Sequence, residues 1–253
     1  MKQEEFNQER ARRYHLAMGN HPTARNSELE RFELDKALSK RDLVILDLGA
    51  GDGYLTRYLA KTYPNATIYA LDASESMLSE HTNGKVELIN ADSDNIPLES
   101  GSVDLVVSLA TFHHVKKKKE TFEEIKRILA PRGHFVIADV MIKTNTQEFF
   151  DTIVRDYCIT GHEFPFLSEE WVGELAEEVG LFHKESKLKE TPWKFKSRDD
   201  MAFFVKNLVG LDISIDYLLK FLYENFSIKI RSNEIHLGWQ LGYHVLQNQE
   251  VSK

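Results

Sequence analysis

A glycine-rich turn that directly follows a short apolar run constrains the fold of this sequence more than any other feature. Residues 44–53 read VILDLGAGDG, and the segment 54–62 that follows has the apolar periodicity of a helix. Glycine adopts backbone conformations that other residues avoid, so the chain can pass close to a bound ligand at such a turn. In doubly wound sheets, ligands bind beyond the carboxyl ends of the strands. The turn therefore predicts a ligand site at the end of the first strand.

The alternation of strand and helix continues from residue 40 to residue 140. The run 103–109 is almost wholly apolar, which is typical of a parallel strand that is buried on both faces. We therefore predict an α/β fold with a Rossmann-like, doubly wound and mostly parallel seven-stranded sheet. The predicted strands are 43–48, 67–71, 86–90, 103–109 and 135–140, and the helices between them are 54–62, 75–80 and 117–130.

Further helices are predicted on both sides of this region, as N-terminal and C-terminal lid helices. Ser27 and Glu30 have the spacing of a capping box, which predicts a helix from Ser27 to about Leu38. Ser168 and Gly180 predict the start and the end of another helix. The other predictions are helices at 3–18, 145–157, 169–179, 199–209 and 214–225, a sixth strand at 183–195, and strand structure over 227–247 with a turn at 232–233.

Charge and composition restrict the function. The sequence has 32 basic and 40 acidic residues and a net charge of −8, which disfavours tight binding to nucleic acid. Its longest apolar runs are strand-sized, and its polar N-terminus lacks the apolar core of a signal peptide. We therefore expect a cytoplasmic protein without a membrane span. The one cysteine, Cys158, excludes an internal disulfide and a multi-cysteine metal site.

Two aspartates and the glycine spacing indicate the ligand. Asp72 follows the second predicted strand, 21 residues after Gly51, where a carboxylate can accept hydrogen bonds from both ribose hydroxyls of an adenosine-containing ligand. The dinucleotide fingerprint G-x-G-x-x-G/A would place a small residue where this sequence has Tyr54. A sulfonium amino acid instead needs room and a partner for its ammonium group. Asp47, two residues before Gly49, is able to supply that partner directly or through water.

Five ordered motifs carry a resemblance to a known family. They are LDLGAGDG at 46–53, ALDAS at 70–74, NADSDNIPL at 90–98, VDLVVSLATFHHV at 103–115 and LAPRGHFVIAD at 129–139. In this combination the chain resembles the class I S-adenosylmethionine-dependent methyltransferases, especially the small-molecule branch with ubiquinone/menaquinone- and biotin-pathway enzymes. The resemblance spans roughly residues 40–140. It implies S-adenosyl-L-methionine as cofactor and S-adenosyl-L-homocysteine as product.

The resemblance also assigns the residues of the cofactor site. It implies that the glycine turn approaches the methionine part, that Asp72 holds the ribose, and that Asp92 accepts from the adenine amino group while Ser93 offers a backbone amide. Leu109 is expected under the cofactor, and Tyr14 lies on an N-terminal helix that folds over the cofactor in similar enzymes. The full set of expected cofactor-binding residues is Asp47, Gly49, Ala50, Gly51, Asp72, Ala73, Met77, Asp92, Ser93, Leu109 and Tyr14.

His113 and His114 follow the fourth predicted strand, where this fold places the reacting methyl group. Either is a candidate general base, His114 slightly ahead of His113, because a histidine near its unperturbed pKa suits proton transfer. The alternative is a structural pair, one packed and one capping the next helix. Asp139 at the end of the fifth strand is expected to orient a loop. We expect no metal, since no HExxH motif or Cys/His cluster is present.

The resemblance predicts methyl transfer to a small-molecule acceptor by direct displacement, on an O, N or C nucleophile such as a carboxylate or an aromatic or apolar metabolite. Three alternatives stay open: a catalytically silent cofactor-binding scaffold, a tRNA methyltransferase, and an NAD-dependent oxidoreductase. We expect a monomer or homodimer that binds neither membrane nor nucleic acid. One domain over 1–253 is predicted, with an N-terminal helical cap at 1–39, a cofactor-binding core at 40–140, lid helices with the sixth strand at 141–225 and a C-terminal strand region at 226–253.

Overall fold

The computed structural model describes residues 8–34, 42–79, 86–161 and 165–249. Stretches that are distant in sequence assemble into two compact units. Unit one combines Met1–Arg31, Val140–Glu163 and Leu188–Leu241, and unit two combines Phe32–Asp139, Phe164–Lys187 and Gly242–Lys253. The organisation as a single methyltransferase domain with lids remains a prediction.

The strands of the described residues form two sheets. Their bounds are β1 Val44–Leu48, β2 Thr67–Asp72, β3 Val86–Asn90, β4 Val103–Leu109, β5 Leu129–Asp139, β6 Leu181–Glu190, β7 Trp193–Phe195, β8 Ile228–Arg231, β9 Glu234–Leu237 and β10 Gln240–Asn248. The larger sheet has the order β3-β2-β1-β4-β5-β10-β6, and the smaller has the order β7-β9-β8. Strands β1 to β5 pair in parallel, and β10 pairs with β5 antiparallel. The predicted mostly parallel seven-stranded sheet is therefore confirmed.

The helices flank these strands in sequence as the pattern predicts. They are α1 Gln8–Asn20, α2 Asn26–Glu30, α3 Tyr54–Thr62, α4 Glu75–Leu78, α5 Lys118–Ile128, α6 Asn145–Phe149, α7 Arg155–Tyr157, α8 Glu169–Val179, α9 Arg198–Val209 and α10 Ile215–Asn225. A 3₁₀ helix covers Phe112–His114, and a π-helical segment, Phe150–Val154, connects α6 to α7. No helix of the described residues is both long and apolar enough to cross a membrane.

The core of unit two lies between the large sheet and two helices. Phe122 and Ile125 of α5 and Val172 of α8 are fully buried against strand residues such as Phe135. The predicted ends of α8 are confirmed, because the Ser168 hydroxyl accepts a hydrogen bond from the Trp171 amide and Gly180 closes the helix with a φ of +75°. This packing fixes β4 and β5, whose carboxyl ends carry candidate site residues.

The predicted sixth strand at 183–195 is wrong as a single strand. Strand β6 ends at Glu190, and Pro192, which has no N–H to donate to a ladder, separates it from β7. Strand β7 instead joins β9 in unit one. The region 227–247 likewise divides, since β8 and β9 form a hairpin across the predicted turn at 232–233 and only β10 enters the large sheet.

The predicted capping box is also wrong. The N-cap of α2 is Arg25, and Ser27 lies inside the helix, where its hydroxyl donates to the Pro192 carbonyl at 2.6 Å. Glu28 is fully buried and accepts from the indole N–H of Trp193 at 2.6 Å and from Arg25. The bond to Pro192 therefore uses the Ser27 side chain that the local pattern assigned to capping. Helix α2 ends at Glu30, and the end of the predicted helix, residues 35–38, lies outside the described part of the chain.

Strand β5 begins earlier than predicted. Helix α5 ends at Ile128 and the strand starts at Leu129, whereas the sequence predicts helix up to 130 and strand only from 135. Arg132 has a φ of +66°, and the register against β4 shifts between Val103 and Leu105. A bulge of this kind lets a strand absorb extra residues that a propensity pattern interprets as a turn.

Candidate functional site

The glycine turn connects the end of β1 to the start of α3. Gly49, Gly51 and Gly53 have φ values of +75°, +54° and +82°, all in the left-handed region that favours glycine. The amides of Gly49 and Ala50 both donate to the Leu71 carbonyl of the neighbouring strand, at 2.8 and 2.9 Å. The turn is therefore anchored to β2 and lies at the carboxyl edge of the sheet.

Gly49 also lies against a residue that sequence reasoning missed. A Cβ at position 49 would lie 2.1 Å from Cγ2 of Thr111, and the Thr111 hydroxyl donates to the Gly49 carbonyl at 3.1 Å. Only glycine fits this approach. No sequence signal identifies Thr111, because it is 62 residues away and becomes a neighbour only when β4 lies beside β1.

Asp72 ends β2 and is held by two backbone amides. Its Oδ2 accepts from the Gly51 amide at 2.9 Å and its Oδ1 accepts from the Ser74 amide at 2.8 Å. A carboxylate has about four lone-pair positions, so both oxygens keep capacity for further donors. Of the neighbouring residues expected in the site, Ala73 is exposed, and Met77 is buried with its Cε near Gly51.

Asp47 is buried beneath the turn. Its Oδ2 accepts from the Thr56 hydroxyl at 2.5 Å. Its other oxygen, Oδ1, is buried and has no hydrogen-bond donor among the residues that the structure describes. Burial raises the pKa of Asp47 to about 7, against the lowering effect of the Thr56 bond. An ammonium group, or a water held by one, would satisfy this oxygen, so Asp47 fits the role expected for it.

The raised pKa of Asp47 gives a prediction for the ligand-free protein. The folded state keeps a proton that the unfolded state releases near pH 4, so this group's stabilising contribution is complete below pH 4 and is lost as the pH rises to about 7. The free energy of unfolding of the wild type relative to Asp47→Asn should therefore fall across this window, by up to about 1.4 kcal/mol per pH unit. Denaturant titrations of both proteins at several pH values measure this difference, and parallel stability curves would contradict it.

The loop after β3 carries Asp92 and Ser93. The Asp92 side chain is exposed and has no hydrogen-bond partner in the described chain, whereas the Ser93 and Thr121 hydroxyls share a hydrogen bond of 2.9 Å. Glu124 of α5 holds the loop further along, where its carboxylate accepts from the Ile96 amide at 2.8 Å. An exposed carboxylate on a fixed loop suits the expected contact with an adenine amino group, which remains a prediction.

The carboxyl end of β4 carries Leu109, which is 8% exposed. Ala110 directly after it has a φ of +51°, which a non-glycine residue rarely adopts, and its amide donates to the Ala138 carbonyl at 2.8 Å. Strained backbone of this kind concentrates at functional sites. The sequence does not reveal it, because alanine gives no sign of a left-handed conformation.

His113 is hydrogen-bonded to the Asp139 carboxylate, and the His114 ring lies beside the His113 ring. Asp139 at the end of β5 accepts from the His113 backbone amide at 3.1 Å, and its Oδ1 lies 2.6 Å from the His113 Nδ1. An ionised carboxylate only accepts, so the proton of this bond is assigned to Nδ1. The His113 and His114 rings lie 4.0 Å apart between centroids. The N-cap of α5 is Lys117, so the alternative in which one histidine caps this helix is wrong.

The structure brings the expected cofactor residues together in unit two, with one exception. Tyr14 lies on α1 in unit one, where its hydroxyl accepts from Arg25 at 3.3 Å. Its contact with a cofactor remains a prediction. The described residues contain no group of three or more His, Cys, Asp or Glu side chains that could hold a metal ion.

A seven-stranded sheet in which β10 pairs antiparallel to β5, a glycine turn after β1 and a carboxylate at the end of β2 are features that the sequence resemblance to class I methyltransferases predicts. Residues 46–137 match the family described as methyltransferase domain. Over these residues the predicted methyltransferase class is confirmed.

Two curated relatives carry more specific names. A malonyl-[acyl-carrier protein] O-methyltransferase of Hahella chejuensis is 32% identical over 143 residues, which cover 54% of this chain and 50% of the relative. A demethylmenaquinone methyltransferase of Thermotoga maritima is 27% identical over 179 residues, which cover 69% of this chain and 72% of the relative. The chain thus spans about half the length of the malonyl-specific relative that it matches.

Solved structures agree on the fold. Phosphoethanolamine N-methyltransferase 2 of Haemonchus contortus, in a complex with S-adenosylhomocysteine, superposes with a TM-score of 0.63 at 17% identity, covering 95% of this chain and 57% of that one. At this identity the likeness supports the fold alone.

Proposed function

We propose that this protein transfers a methyl group from S-adenosylmethionine to a small-molecule acceptor. The observation that carries the proposal is the fixed Asp72 carboxylate, held by the Gly51 and Ser74 amides at the end of the glycine turn. It fits a ribose with two adjacent hydroxyls, and the unsatisfied Oδ1 of Asp47 fits the ammonium group of a methionine-like moiety. In this proposal Asp72 holds the ribose, the turn from Gly49 to Gly51 contacts the methionine part, and Asp92 contacts the adenine.

When bound, S-adenosylmethionine supplies an electrophilic methyl group on a sulfonium, which is an excellent leaving group. The residues of the chain then need only to align the acceptor with that methyl group and to exclude water. The rigid end of β4, with Leu109 buried and the strained Ala110 tied to β5, supports such alignment. A proton acceptor is needed only when the nucleophile is protonated at neutral pH.

We propose a carboxylate as the acceptor group. The malonyl relatives support this proposal, since their name specifies O-methylation of a malonyl group. A carboxylate is already ionised at neutral pH, so it attacks without a base. The reaction forms one O–C bond to the methyl group, and the C–S bond of the sulfonium breaks with its electron pair staying on sulfur.

The bonded pair of His113 and Asp139 favours a second candidate, a hydroxyl-bearing or quinol acceptor. A carboxylate on Nδ1 orients an imidazole so that Nε2 is its basic nitrogen, which is the arrangement of a general base. The demethylmenaquinone relative also supports this candidate. In it, His113 rather than His114 receives the acceptor proton.

Two measurements test the proposed function. Titration calorimetry should give micromolar affinity for S-adenosylmethionine and S-adenosylhomocysteine and none for NAD. Binding of NAD alone would overturn the assignment. Transfer of a labelled methyl group to a malonyl thioester and to a demethylmenaquinol then identifies the acceptor, and tight cofactor binding without any methylated product would favour a silent scaffold.

The His113→Gln variant separates the two acceptor classes. With a carboxylate acceptor we expect kcat within about threefold of the wild type. With a protonated acceptor we expect kcat to fall by about 100-fold or more, since general-base catalysis contributes about 10²–10⁴-fold. Asp139→Asn should likewise lower kcat with a protonated acceptor. An equal loss with both acceptors would indicate a structural role.

A further inference from the structure

The small sheet of unit one has one apolar and one charged face. Trp193 and Leu237 are buried on the apolar face. Alternate residues of a strand point to opposite faces, so Lys229 and Arg231 of β8 lie on the other face. His236 of β9 is directly opposite Lys229 on that face. Lys194 and Glu234 lie on the same face, opposite His236 and Arg231, so its lysines and arginine outnumber its one carboxylate in a chain whose net charge is −8.

A cleft of about 110 Å³ opens on this face. Its lining includes Glu190, Ser227, Lys229, Arg231, His236 and Gln240, all of unit one. Pockets for whole cofactors or drug-sized molecules measure about 300–1,000 Å³. The cleft is therefore of a size for one compact polar group, and it is distinct from the residues proposed for the cofactor.

Two cationic side chains of the cleft are available to a ligand. Lys229 and Arg231 have no ion-pair or hydrogen-bond partner in the described ranges of the chain. The guanidinium of an arginine matches a tetrahedral oxyanion with two parallel donors, and a lysine adds a point charge. Gly238 lets the backbone pass close to Ser227, because a Cβ there would lie 2.8 Å from the Ser227 carbonyl oxygen.

We propose that this cleft binds a phosphate monoester group. Two unpaired cations and the Ser227 hydroxyl suit a dianion with three exposed oxygens better than a carboxylate with two. Glu190 lines the same cleft and repels an anion, so it limits the affinity. Removing a cation and removing the Glu190 charge should therefore change the affinity for phosphate in opposite directions.

Titration calorimetry with inorganic phosphate tests the site. Lys229→Gln and Arg231→Gln should each weaken binding about tenfold, because each removes a charge-assisted hydrogen bond to the anion. Glu190→Gln should strengthen binding several-fold, a gain that a misfolded variant cannot give. The matched control is Lys194→Gln, which removes the same charge from β7, opposite His236 and outside the cleft lining, and should leave affinity almost unchanged.

Two further probes distinguish the source of the phosphate group. Binding of glycerol 3-phosphate, without sedimentation of the protein on vesicles that contain phosphatidic acid, identifies a soluble metabolite. Sedimentation that depends on Lys229 and Arg231 identifies a lipid headgroup. The proposal is overturned if none of the three probes binds at millimolar concentration, or if the Lys229→Gln/Arg231→Gln double variant binds phosphate as the wild type does. It is also overturned if Lys194→Gln weakens binding as much as the changes in the cleft.

Discussion

The Asp72→Ala variant should lose its affinity for S-adenosylmethionine by at least about 100-fold, since two hydrogen bonds from ribose hydroxyls to a carboxylate contribute about 1.5–3 kcal/mol each. The change also releases the Gly51 and Ser74 amides, which the carboxylate holds at 2.9 and 2.8 Å. Asp72→Asn keeps one acceptor oxygen, so we expect an intermediate loss. Titration calorimetry with S-adenosylmethionine and S-adenosylhomocysteine measures both.

Asp104→Ala is the matched control for this prediction. Asp104 is a half-buried carboxylate whose Oδ2 accepts from the Val44 amide at 2.9 Å, at the amino end of β1. Removing the Asp104 carboxylate costs a comparable backbone hydrogen bond, of about 1 kcal/mol. This bond, however, lies at the opposite end of β1 from the glycine turn. Affinity should stay within about threefold of the wild type. If both variants bind equally weakly, Asp72 acts through stability and not through the ribose.

The Gly49→Ala variant should lower the free energy of unfolding by more than about 3 kcal/mol, at the upper end of single substitutions. The new Cβ would lie 2.1 Å from Thr111 Cγ2, and the φ of +75° is unfavourable for alanine in addition. Gly49 and Thr111 closely follow β1 and β4, so neither residue can move far without disturbing the pairing of these two strands. Urea denaturation measures the loss.

Gly101→Ala separates the conformational cost from the steric one. Gly101 has a φ of +70°, and no heavy atom of the described chain lies within 4 Å of a Cβ built there. The free energy of unfolding of the Gly101→Ala variant should therefore fall only by roughly 1–2 kcal/mol, the cost of an alanine in a left-handed conformation. Adding Thr111→Gly should restore part of the loss in Gly49→Ala and none of the loss in Gly101→Ala. Equal losses in the two single variants would show that Thr111 moves aside.

Local sequence patterns predicted the bounds of an element correctly where its apolar periodicity and its end signals agreed. Helix α8, from its Ser168 cap to Gly180, is an example, since cap, apolar stripe and terminal glycine are all short-range features. The pattern failed at Ser27, whose side chain bonds to Pro192, and at 183–195, where β7 pairs with the more distant strand β9. Propensity describes neighbours along the chain, so it does not anticipate such pairings.

The glycine turn, Asp47, Asp72 and the parallel core were predictable because each depends on residue type and spacing along one stretch of chain. Which residues meet at the turn depends on how distant strands pack. The tertiary structure placed Thr111 against Gly49, left one oxygen of Asp47 without a donor among the described residues, and joined His113 to Asp139. It also separated β7, β8 and β9 into a sheet of their own with a cationic face. The physical reason is that hydrogen bonds and steric fit act between atoms in space, and the strands that bring these atoms together are distant in sequence.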